Sequence, residues 1–192
     1  MSKLGENYVP PTSLHLENMP FSCQWILSVL NKAISRTVTS LDEYDFSDAT
    51  STAYSWWQYQ FCDVFIEAIK PYFAGDDSAF ASERSSAQLA LWVCLETGMR
   101  LLHPFMPFVT EELWQRLPAV KGSTRKDFDN CWTNERAGNE MDLVESTVKS
   151  LRSLRAEVLG KSKNERLPAF AFCQTDAVVD IIRNSEAMNR RF

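Results

Sequence analysis

Gly160-Lys161-Ser162 has the ending of a phosphate-cradling loop, in which backbone N–H groups and a lysine surround the phosphates of a nucleotide. That loop needs a glycine five residues before Gly160, where Arg155 stands, and a strand in front of it, where the periodicity predicts a helix. The match is a coincidence of three letters. Glu111 and Glu112 offer paired carboxylates for general acid–base work. Adjacent residues on a helix point about 100° apart, however, and cannot flank one bond; in a helix's first turn they answer its macrodipole instead. His103, between Leu102 and Pro104, would need a nucleophile held within ~3 Å to act as a base. At a helix end it reads as a packing residue or a charge partner. No Gly-x-Ser-x-Gly, His-Glu-x-x-His or Gly-x-Gly-x-x-Gly string is present. What remains is cationic: Lys149, Arg152, Arg155, Lys161, Lys163 and Arg166, interrupted by only Glu157 and Glu165. Such a set can neutralise phosphates, and it can equally be a solvated helix face.

Metal and disulfide chemistry have little to work with. Cys23, Cys62, Cys94, Cys131 and Cys173 are never closer than 32 residues, form no Cys-x-x-Cys pair and have only two histidines beside them. An odd, scattered set of this kind predicts reduced thiols, some packed in the core, and no metal site. No apolar run reaches the ~18 residues of a membrane span, and Met1 to Pro20 lacks the charged-then-apolar pattern of a signal peptide. The expected address is the cytosol, with no membrane partner.

The elements that would position these residues are helical. In 192 residues, 45% apolar and 23% charged, composition predicts a globular chain. Pro10, Pro11 and Pro20 make residues 1–21 an extended lead-in. Ser22 is placed as the cap of a first helix, whose Ile26, Leu30, Ala33, Ile34, Thr37 and Leu41 recur at helical spacing to about Ser40. Asp45 caps a second helix, with Phe46, Ala49, Ala53, Trp57, Phe61, Val64 and Ala68 as its seam and Tyr54, Trp56 and Phe65 thickening it, stopped by Pro71. A third helix runs from about Ser82 to Leu102, and a short fourth from Thr110 to Leu117. Residues 118–139 read as a surface loop, and Glu140–Leu159 as a fifth helix. Ala169–Cys173 is a candidate strand, and Asp176–Met188 a last helix. The fold class is therefore all-α: a helical bundle over residues 22–159 with a small α/β C-terminal appendage over 160–192. Charge divides along the same line. Residues 1–148 hold 11 Lys/Arg against 20 Asp/Glu, a net of −9; residues 149–192 hold 9 against 5, a net of +4. An acidic body argues against general affinity for nucleic acid, and a basic C-terminal quarter leaves a local contact open.

The string Leu101-Leu102-His103-Pro104-Phe105-Met106-Pro107-Phe108-Val109-Thr110-Glu111-Glu112-Leu113-Trp114-Gln115 closely resembles the anticodon-binding domain of valyl-tRNA synthetases, class I aminoacyl-tRNA synthetases. Phe61-Cys62-Asp63-Val64-Phe65-Ile66-Glu67 leading to Lys70, after Trp56-Trp57, is a second match. Trp25-Ile26-Leu27-Ser28 with Leu30-Asn31 is a third, and order and spacing agree over roughly Lys3 to Leu159. The resemblance implies an anticodon-binding-type bundle with a valine-accepting tRNA as its partner. Pro104 and Pro107 force a corner between two helices, and Phe105, Met106, Phe108 and Trp114 are expected to plug the bundle; an elbow turned into water would count against the kinship. Glu67 is placed to reach Lys70.

Departures from the family pattern shape the functional expectation. The nucleotide-handling signatures of these synthetases, a His-Ile-Gly-His-like string and a Lys-Met-Ser-Lys-Ser-like loop, are absent, so ATP and Mg²⁺ are expected only in a catalytic domain outside this sequence. The family's usual opening helix, Asn-Lys-x-Trp-Asn-Ala-x-Arg-Phe, does not precede Met1, and residues 121–136 follow no family pattern. By resemblance the candidate tRNA contacts are Lys32 and Arg36, opposite the apolar stripe of the first helix, together with Lys149, Arg152, Arg155, Lys161, Lys163 and Arg166. The rival expectation is a helical interaction module that has lost tRNA binding and docks a catalytic domain or a second copy of itself.

Overall fold

Pro20 starts the first helix. It needs no N–H of its own, and its carbonyl accepts from the backbone of Cys23 and Gln24 at 2.9 and 3.1 Å. Ser22, expected as the cap, lies one residue inside α1 (Phe21–Asp42), buried. The computed structural model describes residues 4–5, 8–11, 19–74, 80–118, 134–159 and 172–184. It divides into two units, Met1–Glu135 and Arg136–Phe192.

At its far end α1 closes with a left-handed residue. Asp45 N–H bonds the Ser40 carbonyl at 2.8 Å and Tyr44 N–H that of Leu41 at 3.1 Å, with Tyr44 at φ +61°, the position glycine usually fills. Asp45 then caps α2 (Phe46–Ser55), its carboxylate accepting from Asp48 N–H at 3.0 Å, as the sequence indicates.

The second helix does not continue as an α-helix. Trp56–Phe65 winds as a π-helix before α3 (Ile66–Ala68) and a 3₁₀ turn at Lys70–Phe73. With i→i+5 bonding, residues five apart become neighbours, whereas on an α-helix they lie about 140° apart. Trp56 therefore stacks on Phe61, five residues on, at 5.6 Å between centroids; Phe61 in turn stacks on Phe65, four residues on, at 6.0 Å, and all three are buried. Phe46 and Tyr54, assigned to the buried seam by 3.6 periodicity, are exposed instead.

Opposite this aromatic column runs α4 (Ala81–Leu102), burying Leu91, Val93, Cys94 and Met99. Trp56 and Trp57 come so close to it that a β-carbon on Gly98 would stand 2.7 Å from a ring carbon of each. Buried Trp25, Ile26, Leu27 and Leu30 of α1 complete the core.

The corner after α4 corrects two expectations. First, α5 spans Pro107–Trp114, opening on its proline as the pre-set φ of that residue allows. Glu111 and Glu112 consequently stand in its second turn, where they bond Gln115 and Arg116 rather than cap a helix start. Second, the elbow does not plug the bundle. Phe108 is 89% exposed, Val109 56% and Met106 44%; Phe105 and Trp114 are half-buried. Hydrogen bonds and one cation–ring contact hold the corner, with Phe108 taking no part. Phe105 and Met106 N–H both bond the Leu102 carbonyl at 3.0 Å, His103 Nδ1 meets Thr110 Oγ1 at 2.8 Å, and Arg100 lies over the Trp114 ring at 5.3 Å.

In place of a loop to residue 139, α6 begins at Glu135 and runs to Leu159. Gly138 sits inside it, and Ala137, Met141, Val144 and Val148 form a buried line at spacings of four, three and four. After α6, α7 spans Asp176–Asn184. Every regular element among the described residues is helical. Phe172 and Cys173 carry no strand pairing, and the remainder of the candidate strand, Ala169–Ala171, lies outside the described residues, as do residues 185–188.

Candidate nucleic-acid interface

The two cations proposed on α1 have different fates. Lys32 is exposed. Arg36, one turn on, is bound to Asp48 by a two-pronged pair: Nε donates to Oδ2 at 3.0 Å and Nη2 to Oδ1 at 2.5 Å. Ser40 Oγ sits in the same knot, 2.6 Å from Asp48 Oδ2 and 2.8 Å from the Arg36 carbonyl. The Arg36 guanidinium, then the Ser40 hydroxyl, hold the Asp48 carboxyl down at about 2. This pairing offsets the positive charge that an RNA phosphate would meet at Arg36, and it fastens α1 to α2.

Lys149, Arg152 and Arg155 stand exposed along the second half of α6. Among the side chains of this helix described, Val148 is the last buried one, with Leu151 half-buried and Leu154 exposed, so the cations occupy a stretch that turns toward solvent. Carboxylates fill the first half: Glu135, Glu140 (paired with Arg136 at 2.6 Å), Asp142 and Glu145. Burial, then the nearby Asp142 charge, pushes the Glu145 carboxyl up. Only Glu135 stands in a terminal turn where the helix macrodipole acts; Lys149, Arg152 and Arg155 precede the last turn, which holds no base, so the macrodipole does not account for them. Arg152 and Arg155 also engage neighbours within the chain. Lys161, Lys163 and Arg166 lie outside the described residues.

The residues set aside for catalysis have structural employment. His103, exposed at the end of α4, is tied to Thr110. Cys23, Cys62, Cys94 and Cys173 are unpaired; burial lifts the Cys23 thiol to about 12 and Cys94 well above the usual thiol range, which suppresses thiolate chemistry. Among the described residues no three His, Cys, Asp or Glu side chains gather as a metal site, and no helix is long and apolar enough to cross a membrane. Glu67 pairs with Lys70, as its spacing indicated.

What the sequence reasoning missed is aromatic. Tyr54 and Tyr59 are more than half exposed and meet edge to face at 6.1 Å, with Gln58 between them in sequence. A pair of tyrosines five apart means nothing on an α-helix. The signal lay in its coincidence with Trp56 and Phe61, a second aromatic pair at the same spacing.

Comparison with known proteins gives this geometry a setting. The family model described as the anticodon-binding domain of tRNA ligase matches residues 23–170. The chain is 63% identical to valine–tRNA ligase, mitochondrial 1, of Arabidopsis thaliana over 97% of its own length and 18% of the relative's. It is 37% identical to human valine–tRNA ligase over 80% of this chain and 13% of that protein. With the Geobacter sulfurreducens valine–tRNA ligase the identity is 34%, over 93% and 20%. The chain thus spans a fifth or less of these relatives. The outward elbow, which the sequence reading set against the kinship, does not overturn it: the match extends over most of the chain, and backbone and side-chain hydrogen bonds supply the corner's rigidity that ring burial was expected to provide.

Proposed function

Because the chain belongs to the family of tRNA-ligase anticodon-binding domains, in the branch of the valine–tRNA ligases, we propose that it binds the anticodon arm of a valine-accepting tRNA. The observation that carries the reading is the family match over residues 23–170, which includes the helices bearing Lys32, Lys149, Arg152 and Arg155. Phosphates would be met by the cations of α6 together with Lys161, Lys163 and Arg166, and Lys32 would contribute from α1. Arg36 serves the α1–α2 clamp first.

Attachment of valine using ATP and Mg²⁺ belongs, in this reading, to a catalytic part that this sequence does not contain; the chain alone binds and does not acylate. Cys23, Cys62, Cys94 and Cys173, all unpaired, suit a reducing compartment, and the reading places the chain in the cytosol. The test is a titration with valine tRNA across a salt series. Binding that weakens with salt, and weakens further in Arg152→Glu/Arg155→Glu, supports the proposal; valine transfer by this chain alone would refute the division of labour.

A second reading is favoured by the elbow. Met106, Phe108 and Val109 place apolar surface in water next to Glu111 and Glu112. An interaction module that has lost tRNA affinity would use such a surface to seat a catalytic domain or a second copy. Absence of tRNA binding, combined with concentration-dependent dimers that Phe108→Ser abolishes, would select it.

A further inference from the structure

We infer that Tyr54 and Tyr59 form a stacking site for an unpaired nucleobase of the bound RNA, an inference that rests on the tRNA-binding reading above. An anticodon loop presents splayed bases, and proteins read such bases by laying aromatic rings against them and hydrogen-bonding their edges. Cations on α6 can hold phosphates and supply nothing of this kind. Tyr54 is 53% exposed and Tyr59 56%, with ring centroids 6.1 Å apart and planes at 90°. One ring can lie against a base face while the other closes its edge, and both carry a hydroxyl at the wet end. Gln58 adds an amide whose bond to Asp63, at 3.5 Å, is at the limit of hydrogen-bonding distance.

Two features select a base over other occupants. The first is charge: residues 49–62 contain no Asp, Glu, Lys or Arg, so the stretch that carries the two rings offers neither a cation to an acidic partner nor a carboxylate to a basic one, and the acid beside it, Asp63, is met by Gln58. The second is size. Two half-exposed tyrosines offer about 200 Å² of surface, well short of the ~800 Å² per partner that a stable protein interface buries. They match a single base.

The pair also depends on the π-helix. On a regular α-helix residues 54 and 59 would point about 140° apart. The widened turn that stacks Trp56 on Phe61 in the core brings Tyr54 and Tyr59 together outside it.

The experiment uses the full chain and a synthetic anticodon stem–loop of valine tRNA with 2-aminopurine in the loop, with a blunt RNA duplex as control. The expected result is quenching of the loop fluorophore on binding. Tyr54→Ala and Tyr59→Ala should each weaken stem–loop affinity roughly tenfold, with an unchanged salt slope and an unchanged unfolding midpoint, and Tyr59→Phe should retain most of the affinity. Wild-type affinity in both alanine variants, or an equal loss on the duplex, overturns the stacking site while leaving tRNA binding in place. Failure of the unsubstituted chain to bind the stem–loop overturns both.

Discussion

Arg36 and Asp48 are locked together by two parallel hydrogen bonds across the α1–α2 seam, with Ser40 Oγ as a third member of the knot. The relationship turns a candidate RNA contact into a structural clamp and gives the fold an acid-sensitive point. The Asp48 carboxyl sits at about 2 when folded, below the ~3.9 of an unfolded aspartate. Its contribution is therefore complete above about pH 5 and is lost as pH falls toward 2, because the unfolded chain takes up the proton first. Asp48→Asn should lower the urea midpoint at pH 7 and shrink the difference from the unsubstituted chain as pH falls from 4 to 2. Parallel curves throughout that window would contradict the clamp.

The approach of Trp56 and Trp57 to α4 makes Gly98 a packing requirement. Gly98→Ala gains up to ~1 kcal/mol of helix propensity, yet its methyl would meet ring carbons of both indoles at 2.7 Å. Trp56 is buried and stacked on Phe61, and the half-buried Trp57 leans on both rings at 5.2–6.0 Å, so the Trp56 indole has little room to yield. Overpacking of this kind costs about 1–3 kcal/mol. We expect a net loss of stability in chemical denaturation, partly relieved by adding Trp57→Phe. A Gly98→Ala protein more stable than its parent would show that the column is looser than its geometry indicates.

At the elbow the stability effects run opposite to the residue types. Phe108→Ser should leave unfolding free energy within about 0.5 kcal/mol of the parent, as for an ordinary surface change, because the ring is exposed. Thr110→Val, although nearly isosteric, should cost about 1 kcal/mol or more. Thr110 is 3% exposed, and its hydroxyl serves His103 Nδ1 and the Met106 carbonyl. Thermal melts of the two variants decide the order.

Ser28 is the side chain that fixes Asn134. Its hydroxyl, buried, accepts from Asn134 N–H at 3.0 Å and lies 3.2 Å from the Asn134 carbonyl, while Gln24 takes the Asn134 side-chain amide at 3.0 Å. Ser28→Ala removes both of these bonds to the Asn134 backbone and should cost about 1 kcal/mol. Amide exchange at Asn134 should quicken more than at the core of α4. Equal protection in both proteins would argue that the residue's other contacts, the Gln24 bond among them, hold it without Ser28.

These contrasts show what a sequence discloses. The Asp45 cap, the Glu67–Lys70 pair and the span of α4 were legible because each rests on contacts within one or two turns. The π-helix was not, since a 3.6-residue pattern fits Ala49, Ala53 and Trp57 equally well until tertiary packing against Gly98 widens the turn. Phe108 was misplaced because apolar types are common on protein surfaces as well as in cores. Residues 118–139 read as a loop that includes Gly138, yet the buried line from Ala137 to Val148 outweighs that glycine's ~1 kcal/mol propensity cost. For the interface, the sequence marked cations and passed over Tyr54 and Tyr59, whose meeting depends on the same widened turn.

The two sets of candidate cations should separate in salt dependence. A cation that neutralises an RNA phosphate releases a counterion, and its loss lowers the slope of log affinity against log salt by about 0.7–0.9. Arg152 and Arg155 are exposed on the solvent-facing half of α6, so Arg152→Gln/Arg155→Gln should weaken tRNA binding and flatten the slope by more than one. Arg36→Gln should behave differently, because the positive charge it removes is already offset by Asp48. Stability should fall, the acid limb should steepen less, and the salt slope should stay within error of the parent. If Arg36→Gln flattened the slope as much as the α6 double variant, α1 would be part of the phosphate track and the clamp would yield to RNA on binding.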